Sequence, residues 1–176
     1  MKMVIVRDAK VEDLLSIAKV KIDSWGSTYR GIIADDILDN FDVQEQAKKF
    51  GELIPQGMEK KFLIVAEANG KIMGFAAGGS EREGKYEVDG EVYAIYVLQE
   101  YQNEGIGKEL MAHSVKKLIT MGFDSMLVWV LEKNPYKAFY EKLGGIQFNK
   151  KPLEMGDNKE QVMAYVWKDL LLEGFK

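Results

Sequence analysis

The segment between residues 87 and 131 restricts the fold more than any other part of the sequence. A strand-like run, "EVDGEVYAIYV", is followed by a glycine turn and then by apolar residues at helical spacing: Leu110, Met111, Val115, Leu118 and Ile119. A second run, "SMLVWVL", closes the segment. Beyond Val92 both runs are apolar on both faces, which is typical of strands covered on both sides of a sheet. A strand, a helix and a strand with short connections predict a right-handed parallel crossover.

The segments before this crossover predict antiparallel strands and helices. "KFLIVAEANGKIMGFAAG" places two strand-like runs around Asn69-Gly70, a pair suited to a tight hairpin turn. "MVIVRDA" reads as a short first strand. Apolar residues recur at helical spacing from Val11, and a more polar helical region is expected from about Asp35 to Ile54.

After the crossover we expect one more helix and a closing hairpin. Asn134 can cap a helix whose first residue is Pro135, and Gly144 and Gly145 would end it. "GIQFNK" and "KEQVMAYVWKDL" then read as two strands. The predicted architecture is mixed α/β in a single domain spanning residues 1–176, a length that allows one genuine core.

Composition excludes several functional classes. The formal charge is 24 − 28 = −4, which argues against non-specific binding of nucleic acid. There is no cysteine and a single histidine, His113, so thiolate zinc sites, cysteine nucleophiles and histidine-rich metal sites are not expected. The N-terminus is too polar for a signal peptide, and no run is long enough for a membrane span. We expect a cytoplasmic protein without a metal.

The glycine turn, "YQNEGIGKEL", suggests a phosphate site but fits neither common nucleotide motif. A nucleoside-triphosphate loop needs glycine at Gln102 and serine or threonine at Glu109. A dinucleotide fingerprint needs a third glycine at Leu110. Two interpretations remain: the helix start holds an anion on its backbone, or the glycines only shape a turn.

Two motifs together resemble the GCN5-related N-acetyltransferase (GNAT) family. "EVYAIYVLQEYQNEGIGKEL" is similar to its acetyl-CoA signature, Q/R-x-x-G-x-G/A, matched at Gln102, Gly105 and Gly107. "NPYKAFYEKLGG" at 134–145 resembles the second coenzyme-binding segment of the family, and the order of elements fits along nearly the whole chain. The resemblance implies a GNAT fold: a mixed, mostly antiparallel sheet of about six to seven strands with one parallel crossover, flanked by about four helices.

The resemblance also implies how acetyl-CoA would bind. The pyrophosphate would lie on backbone N–H groups of the glycine loop, at Asn103, Glu104, Gly105, Gly107 and Lys108. The pantetheine arm would pair with the backbone of Ile95, Tyr96 and Val97, and the Val97 N–H would polarise the thioester carbonyl. Asn134 would hydrogen-bond the pantetheine, cap a helix, or do both. The side chain of Lys108 is expected near the phosphates as a screened charge rather than as a specific ligand.

Two side chains match catalytic positions of the family. Tyr140 corresponds to the tyrosine that protonates the departing thiolate, and a phenol suits this because its pKa of about 10 lies near that of an alkyl thiol. Its alternative is packing between Phe139 and Leu143. Glu91 matches the position of a general base acting through water; its alternative is an ordinary charged residue at the start of a strand.

The acceptor would bind near "WGSTYRGIIADDILDNFD". Trp25, Tyr29 and Arg30 are candidates to line its site, although Trp25 and Tyr29 also belong to the apolar stripe of the first helix. The acidic residues of this segment would attract a cationic amine or would simply form a solvated face: Asp35, Asp36, Asp39 and Asp42.

The resulting hypothesis is an enzyme that transfers an acetyl group from acetyl-CoA to a primary amine of a small molecule or peptide. The alternative is a catalytically silent acyl-CoA-binding sensor or subunit. Homodimers are common in the family, so a homodimer is a further expectation. The failed motif tests disfavour a nucleotide-dependent enzyme.

Overall fold

The computed structural model describes residues 3–171, which contain seven strands and five α-helices. The strands are β1 Ile5–Asp8, β2 Lys61–Ala68, β3 Lys71–Ser80, β4 Gly90–Val97, β5 Met126–Leu131, β6 Ile146–Met155 and β7 Asn158–Trp167. The helices are α1 Leu14–Thr28, α2 Asp35–Asp39, α3 Val43–Gly51, α4 Ile106–Thr120 and α5 Ala138–Lys142. The strands form one sheet in the order β1-β2-β3-β4-β5-β7-β6, in which β4 and β5 are parallel and the other pairs antiparallel. The expected mixed sheet with one crossover is confirmed.

The predicted hairpin joins β2 to β3. Its turn residues, Asn69 and Gly70, both have positive φ, at 51° and 77°. These angles suit a two-residue turn whose twist matches that of the flanking strands. The hairpin places both strands in the middle of the core, where nearly every residue of β3 is buried.

The parallel strands β4 and β5 separate soon after they begin. They pair at Gly90 with Met126 and at Glu91 with Leu127. Further along, β4 continues to pair with β3, while β5 pairs with β7. Tyr93 is an extra residue on β4, because Ala77 pairs with Ala94 and Gly78 with Val92. Such a bulge bends a strand and increases its twist, so the two strands leave a crevice between their carboxyl ends.

Helices cover both faces of the sheet. On one face α4 packs through fully buried residues such as Leu110, Met111 and Leu118. On the other face α1 and α3 pack through Ile17 and Phe50. None of the helices within residues 3–171 is both long and apolar enough to cross a membrane.

Two helical segments differ from the sequence-based expectations. The region from Asp35 to Ile54 forms two helices because the Asp42 carboxylate accepts a hydrogen bond from the Glu45 N–H at 2.8 Å and caps a new helix. Asn134 does not cap α5. Its Oδ1 accepts the N–H of Tyr136 at 2.8 Å and closes a turn ahead of α5. Residues 3–171 therefore contain five α-helices where about four were expected.

Two other details are close to the prediction. Helix α5 ends at the expected glycines, since Gly144 has a φ of 88°. The closing hairpin is also present, with β6 longer than "GIQFNK" because it extends to Met155.

Candidate functional site

The glycine turn after β4 leaves the start of α4 open. Asn103 and Gly105 have positive φ, at 63° and 85°. Gly105 is the N-cap of α4, and it has no side chain to accept the first N–H groups of the helix. The amides of Gly105 through Lys108 therefore lack the intrahelical partners that later amides have. A methyl group built on Gly105 would meet no atom within 4 Å, so there is room for an anion beside these donors.

Two contacts hold this turn against its neighbours. Gln102 donates from Nε2 to the carbonyl oxygen of Val97 at 3.2 Å, which ties the loop to the end of β4. A methyl group on Gly107 would lie 3.3 Å from Cε2 of Phe139. The glycine thus allows the first turn of α4 to approach α5 closely, and the two coenzyme-binding segments expected from the sequence lie side by side.

The backbone of β4 faces the crevice at alternate residues. The Leu98 N–H donates to the carbonyl of Met73 in β3 at 2.9 Å. Because polar groups on an antiparallel strand alternate between its two edges, Tyr96 also turns its backbone to β3. Ile95 and Val97 turn theirs to the opposite edge, where β4 and β5 have separated. Of the three residues expected to bind the pantetheine, Tyr96 therefore has only its side chain available for that crevice.

Three tyrosines lie close together beside the crevice: Tyr29, Tyr96 and Tyr140. Burial is the main cause that raises the pKa of each of them. The neighbouring phenol of Tyr96 raises the pKa of Tyr29 and of Tyr140 further. All three phenols are therefore protonated at neutral pH and able to donate a proton or a hydrogen bond.

Tyr140 is positioned by ring packing. It stacks on Tyr165 with ring centroids 5.6 Å apart, and the Phe139 ring meets it edge-on at 5.2 Å. It is 8% exposed, and within residues 3–171 no group hydrogen-bonds to its hydroxyl. The Tyr140 side chain is thus positioned by ring packing, while its hydroxyl has no hydrogen-bond partner within residues 3–171. Asn134 lies nearby and donates from Nδ2 to the Tyr29 hydroxyl at 3.1 Å.

Glu91 is 2% exposed and forms an ion pair with Arg82. Arg82 donates from Nη2 to Oε1 at 2.7 Å and from Nε to Oε2 at 3.2 Å. The backbone N–H of Arg82 also donates to Oε2, at 3.1 Å. Both oxygens of the carboxylate are occupied, and the Arg82 guanidinium lies over the ring of Tyr93 at 4.2 Å.

A cleft of about 320 Å³ lies on the other side of β4, between that strand, α1 and α3. Four of its ten lining residues are aromatic, three are cationic and one is a carboxylate. The lining residues are Lys21, Trp25, Lys49, Phe50, Glu52, Leu53, Arg82, Tyr93, Ala94 and Tyr96. Because Tyr96 lines the cleft and its phenol approaches Tyr140, the cleft adjoins the crevice beside β4.

Of the three residues predicted for the acceptor site, only Trp25 lines the cleft. Trp25 lines the cleft, whereas Tyr29 is buried at 5% exposure beside Asn134. Arg30 lies outside the lining and pairs with Asp35 and Asp39 on the surface, each at 3.0 Å. Most of the acidic run is thus engaged in ion pairs or in capping α3.

Sequence reasoning missed Lys21, the most buried cation of the cleft. The spacing in the sequence could have identified it, since Lys21 follows Ile17 by four residues and precedes Trp25 by four. This spacing places a lysine within the apolar stripe of α1. In residues 3–171 no cluster of three or more histidine, aspartate or glutamate side chains is arranged to hold a metal ion.

Comparison with known proteins agrees with this arrangement. Residues 32–145 match the model of the Acetyltransferase (GNAT) family. The chain is 36% identical over 168 residues to an uncharacterized N-acetyltransferase, YuaI, of Bacillus subtilis, covering 96% of this chain and 95% of the relative.

Solved structures share the fold. The PaiA N-acetyltransferase of Thermoplasma acidophilum, in complex with coenzyme A, superposes with a TM-score of 0.71 at 22% identity, over 92% of this chain and 98% of the other. The acetyltransferase YncA of Salmonella typhimurium, with acetyl-CoA, gives 0.68 at 18% identity, over 94% and 93%. Since the family model spans the whole crossover and both motif segments, the resemblance found in the sequence is confirmed. The chain belongs to the GNAT family of acetyltransferases and is an acyltransferase.

Proposed function

We propose that the protein transfers the acetyl group of acetyl-CoA directly to a primary amine of a small molecule or peptide. The observation that carries this proposal is the adjacency of two open sets of backbone donors. The uncapped start of α4 faces the same crevice as the free edge of β4. One set suits a diphosphate and the other an extended amide chain, and coenzyme A contains both.

The coenzyme would lie along the crevice with its pyrophosphate at the glycine loop and its pantetheine arm along β4. Its pyrophosphate would accept hydrogen bonds from the glycine loop, at Asn103, Glu104, Gly105, Gly107 and Lys108. The dipole of α4 adds to this attraction, so no metal is needed to neutralise the diphosphate. The pantetheine would pair with the outward-facing backbone of Ile95 and Val97, and Asn134 and Tyr96 would contact it from the sides. Gln102 would support this by holding the loop at the Val97 carbonyl.

The reaction would proceed through a tetrahedral intermediate. The Val97 N–H faces the crevice, where it would hydrogen-bond the thioester carbonyl and stabilise the developing oxyanion. The free amine adds to the carbonyl carbon, the C–S bond breaks, and the coenzyme leaves as a thiolate. Tyr140 would give its phenolic proton to that sulfur. Its hydroxyl, which has no hydrogen-bond partner within residues 3–171, supports this role. Burial raises the pKa of Tyr140 and makes it a weaker acid in the ligand-free protein, so the proton transfer depends on the basicity of the departing thiolate.

Glu91 would accept, through a water molecule, the proton that the ammonium form of the acceptor must lose before its free amine attacks. It lies at the point where β4 and β5 separate, close to both the crevice and the cleft. The Arg82 ion pair keeps its buried carboxylate satisfied. Because both oxygens already accept hydrogen bonds, the proton would reach Glu91 along a water chain rather than by direct contact with the amine.

Release of free thiol from acetyl-CoA tests the proposal. The protein would be assayed with a panel of small amines, polyamines, amino acids and peptide N-termini, and we expect acceptor-dependent release. Coenzyme binding without release for any acceptor would instead support a silent acyl-CoA-binding sensor or subunit. The unengaged phenol of Tyr140 favours the enzyme, because a binding module has no need of a proton donor there.

A further inference from the structure

Lys21 places a positive charge in the cleft without a carboxylate partner. Its ammonium donates to Oε1 of Gln46 at 2.7 Å, and no acidic side chain of residues 3–171 lies within ion-pair distance. An ammonium has three N–H donors, so the hydrogen bond to Gln46 leaves two of them.

The surroundings of this ammonium are aromatic and poorly hydrated. It lies over the rings of Trp25, Phe41 and Phe50, at 5.2, 5.1 and 5.9 Å from the ring centroids. Burial and the nearby charge of Lys49 together lower the pKa of Lys21 to about 8, against an opposing contribution from the charge of Glu45. Ring faces offset part of the cost of removing a cation from water, but an anion offsets more. Within residues 3–171, Lys21 is therefore a partly buried cation that has no carboxylate in ion-pair contact.

The other two cations of the cleft already have partners. Lys49 pairs with Glu45 at 2.8 Å, and Arg82 pairs with Glu91. With these two pairs neutralised, Lys21 is the one cation among the residues that line the cleft without an ion-pair partner in the described part of the chain, and Glu52 is the one lining carboxylate. The two open N–H donors of Lys21, rather than the net charge of the cleft, therefore favour an anionic group there.

We propose that the acceptor is a primary amine that also carries an anionic oxygen group, a carboxylate or a phosphate-type group, which binds Lys21. Its apolar portion would lie between Trp25, Phe50 and Tyr96, and its amine would reach the crevice beside Tyr96 and Tyr140. The proposal rests on the proposed acetyl transfer and names its substrate class. It differs from the expectation that the acidic residues from Asp35 to Asp42 attract a cationic acceptor.

Matched acceptors and variants test this assignment. The acceptors are an apolar amino acid, its carboxamide, its phosphonate analogue and a polyamine. For the wild-type protein we expect kcat/KM to be about tenfold to hundredfold higher with either anionic amine than with the carboxamide. Lys21→Met keeps the length of the side chain and removes the charge, so it should abolish this preference by raising KM. Lys21→Arg should restore much of it, and Lys19→Met, on the exposed side of the same helix, should leave it unchanged.

A preference for the phosphonate over the carboxylate, lost in Lys21→Met, would identify a phosphate-type acceptor. The proposal is overturned if the carboxamide or the polyamine serves as well as the anionic amines, or if Lys21→Met keeps the wild-type ratio. Calorimetry of coenzyme A binding, which should be equal in wild type and Lys21→Met, confirms that the variant is folded. If no amine releases thiol, acetyl transfer itself fails. Calorimetric binding of the same compounds then still decides whether Lys21 selects anions.

Discussion

Arg82 donates three hydrogen bonds to the carboxylate of Glu91, at 2.7, 3.1 and 3.2 Å. The Arg82 side chain is 58% exposed while that of Glu91 is 2% exposed, so a surface residue provides the counter-ion of a buried one. The contact fixes the loop between β3 and β4 at the point where β4 and β5 part. It therefore connects the stability of the fold to the shape of the crevice.

Removal of either partner should have separable effects. Arg82→Ala removes the two side-chain donors and the counter-ion of a buried carboxylate and keeps only the backbone N–H, and we expect the free energy of unfolding to fall by about 1–3 kcal/mol. Urea denaturation would measure this.

Glu91→Gln retains the size of the side chain but removes its basicity, and we expect turnover to fall by about 100-fold with unchanged coenzyme affinity. Normal turnover in a folded Glu91→Gln protein would show that the ion pair is only structural.

Tyr140→Phe should reduce kcat by about 100-fold or more, because it removes the proposed proton donor for the thiolate. Stability and coenzyme affinity should change little, since the hydroxyl has no partner within residues 3–171 and the ring packing is kept. Tyr165→Phe is the control. Its hydroxyl, which donates to Glu141 at 2.8 Å, belongs to the ring that stacks on Tyr140, yet it should matter little for turnover. Equal turnover in Tyr140→Phe and wild type would refute the general-acid role.

Gly105→Ala should weaken coenzyme A binding by tenfold or more, because its methyl group would occupy the space proposed for the pyrophosphate. Gly122→Ala is a matched control at the other end of α4. Both glycines have nearly equal positive φ, 85° and 87°, and a methyl group on either would meet no atom within 4 Å. Both variants should therefore suffer similar strain, about 1–2 kcal/mol. Calorimetry that finds the same loss of affinity in both would contradict the loop assignment.

Gly107→Val should also abolish coenzyme binding, but it is a less specific test. Its side chain would press on Phe139 as well as on the proposed phosphate site, since even a methyl group would lie 3.3 Å from that ring. Unchanged affinity in Gly107→Val would still refute the assignment of the glycine loop as the pyrophosphate site. A loss of affinity would be interpreted together with the comparison of Gly105→Ala and Gly122→Ala.

Lys21→Met should stabilise the ligand-free protein in a pH-dependent way. Burial lowers the pKa of Lys21 from 10.5 to about 8, so between these values the unfolded chain binds more protons and stability rises with pH. The full cost of burying the charge is present below about pH 8. The variant should thus gain on the order of 1–3 kcal/mol at pH 7, and the gain should shrink as the pH rises towards 10.5. Denaturation curves at pH 7 and pH 10 would measure it, and an equal gain at both would be inconsistent with a buried ammonium.

Local patterns in the sequence predicted the crossover, the Asn69-Gly70 hairpin and the position of the glycine loop. Each of these depends on residues close together in the chain: apolar runs, turn formers and glycines at the end of a strand. The bulge at Tyr93 was not predictable, because it follows from the register of β4 against β3. The family resemblance, and no local pattern, suggested that the Val97 N–H faces the thioester, since the direction of that N–H also depends on this register. The cleft around Lys21 was missed for a similar reason. Its walls come from α1, α3 and β4, and only the packing of these elements shows that the lysine has no carboxylate partner within residues 3–171.

The brief contact between β4 and β5 has a mechanical consequence. Two residue pairs join a four-stranded half of the sheet, β1 to β4, to a three-stranded half, β5 to β7. A pantetheine chain lying between the two halves would pair with β4 and restrict their movement relative to each other. Amides at Ile95 and Val97 should then exchange their hydrogens more slowly once the coenzyme is bound. The donor substrate would complete the architecture of the sheet as well as supply the group to be transferred.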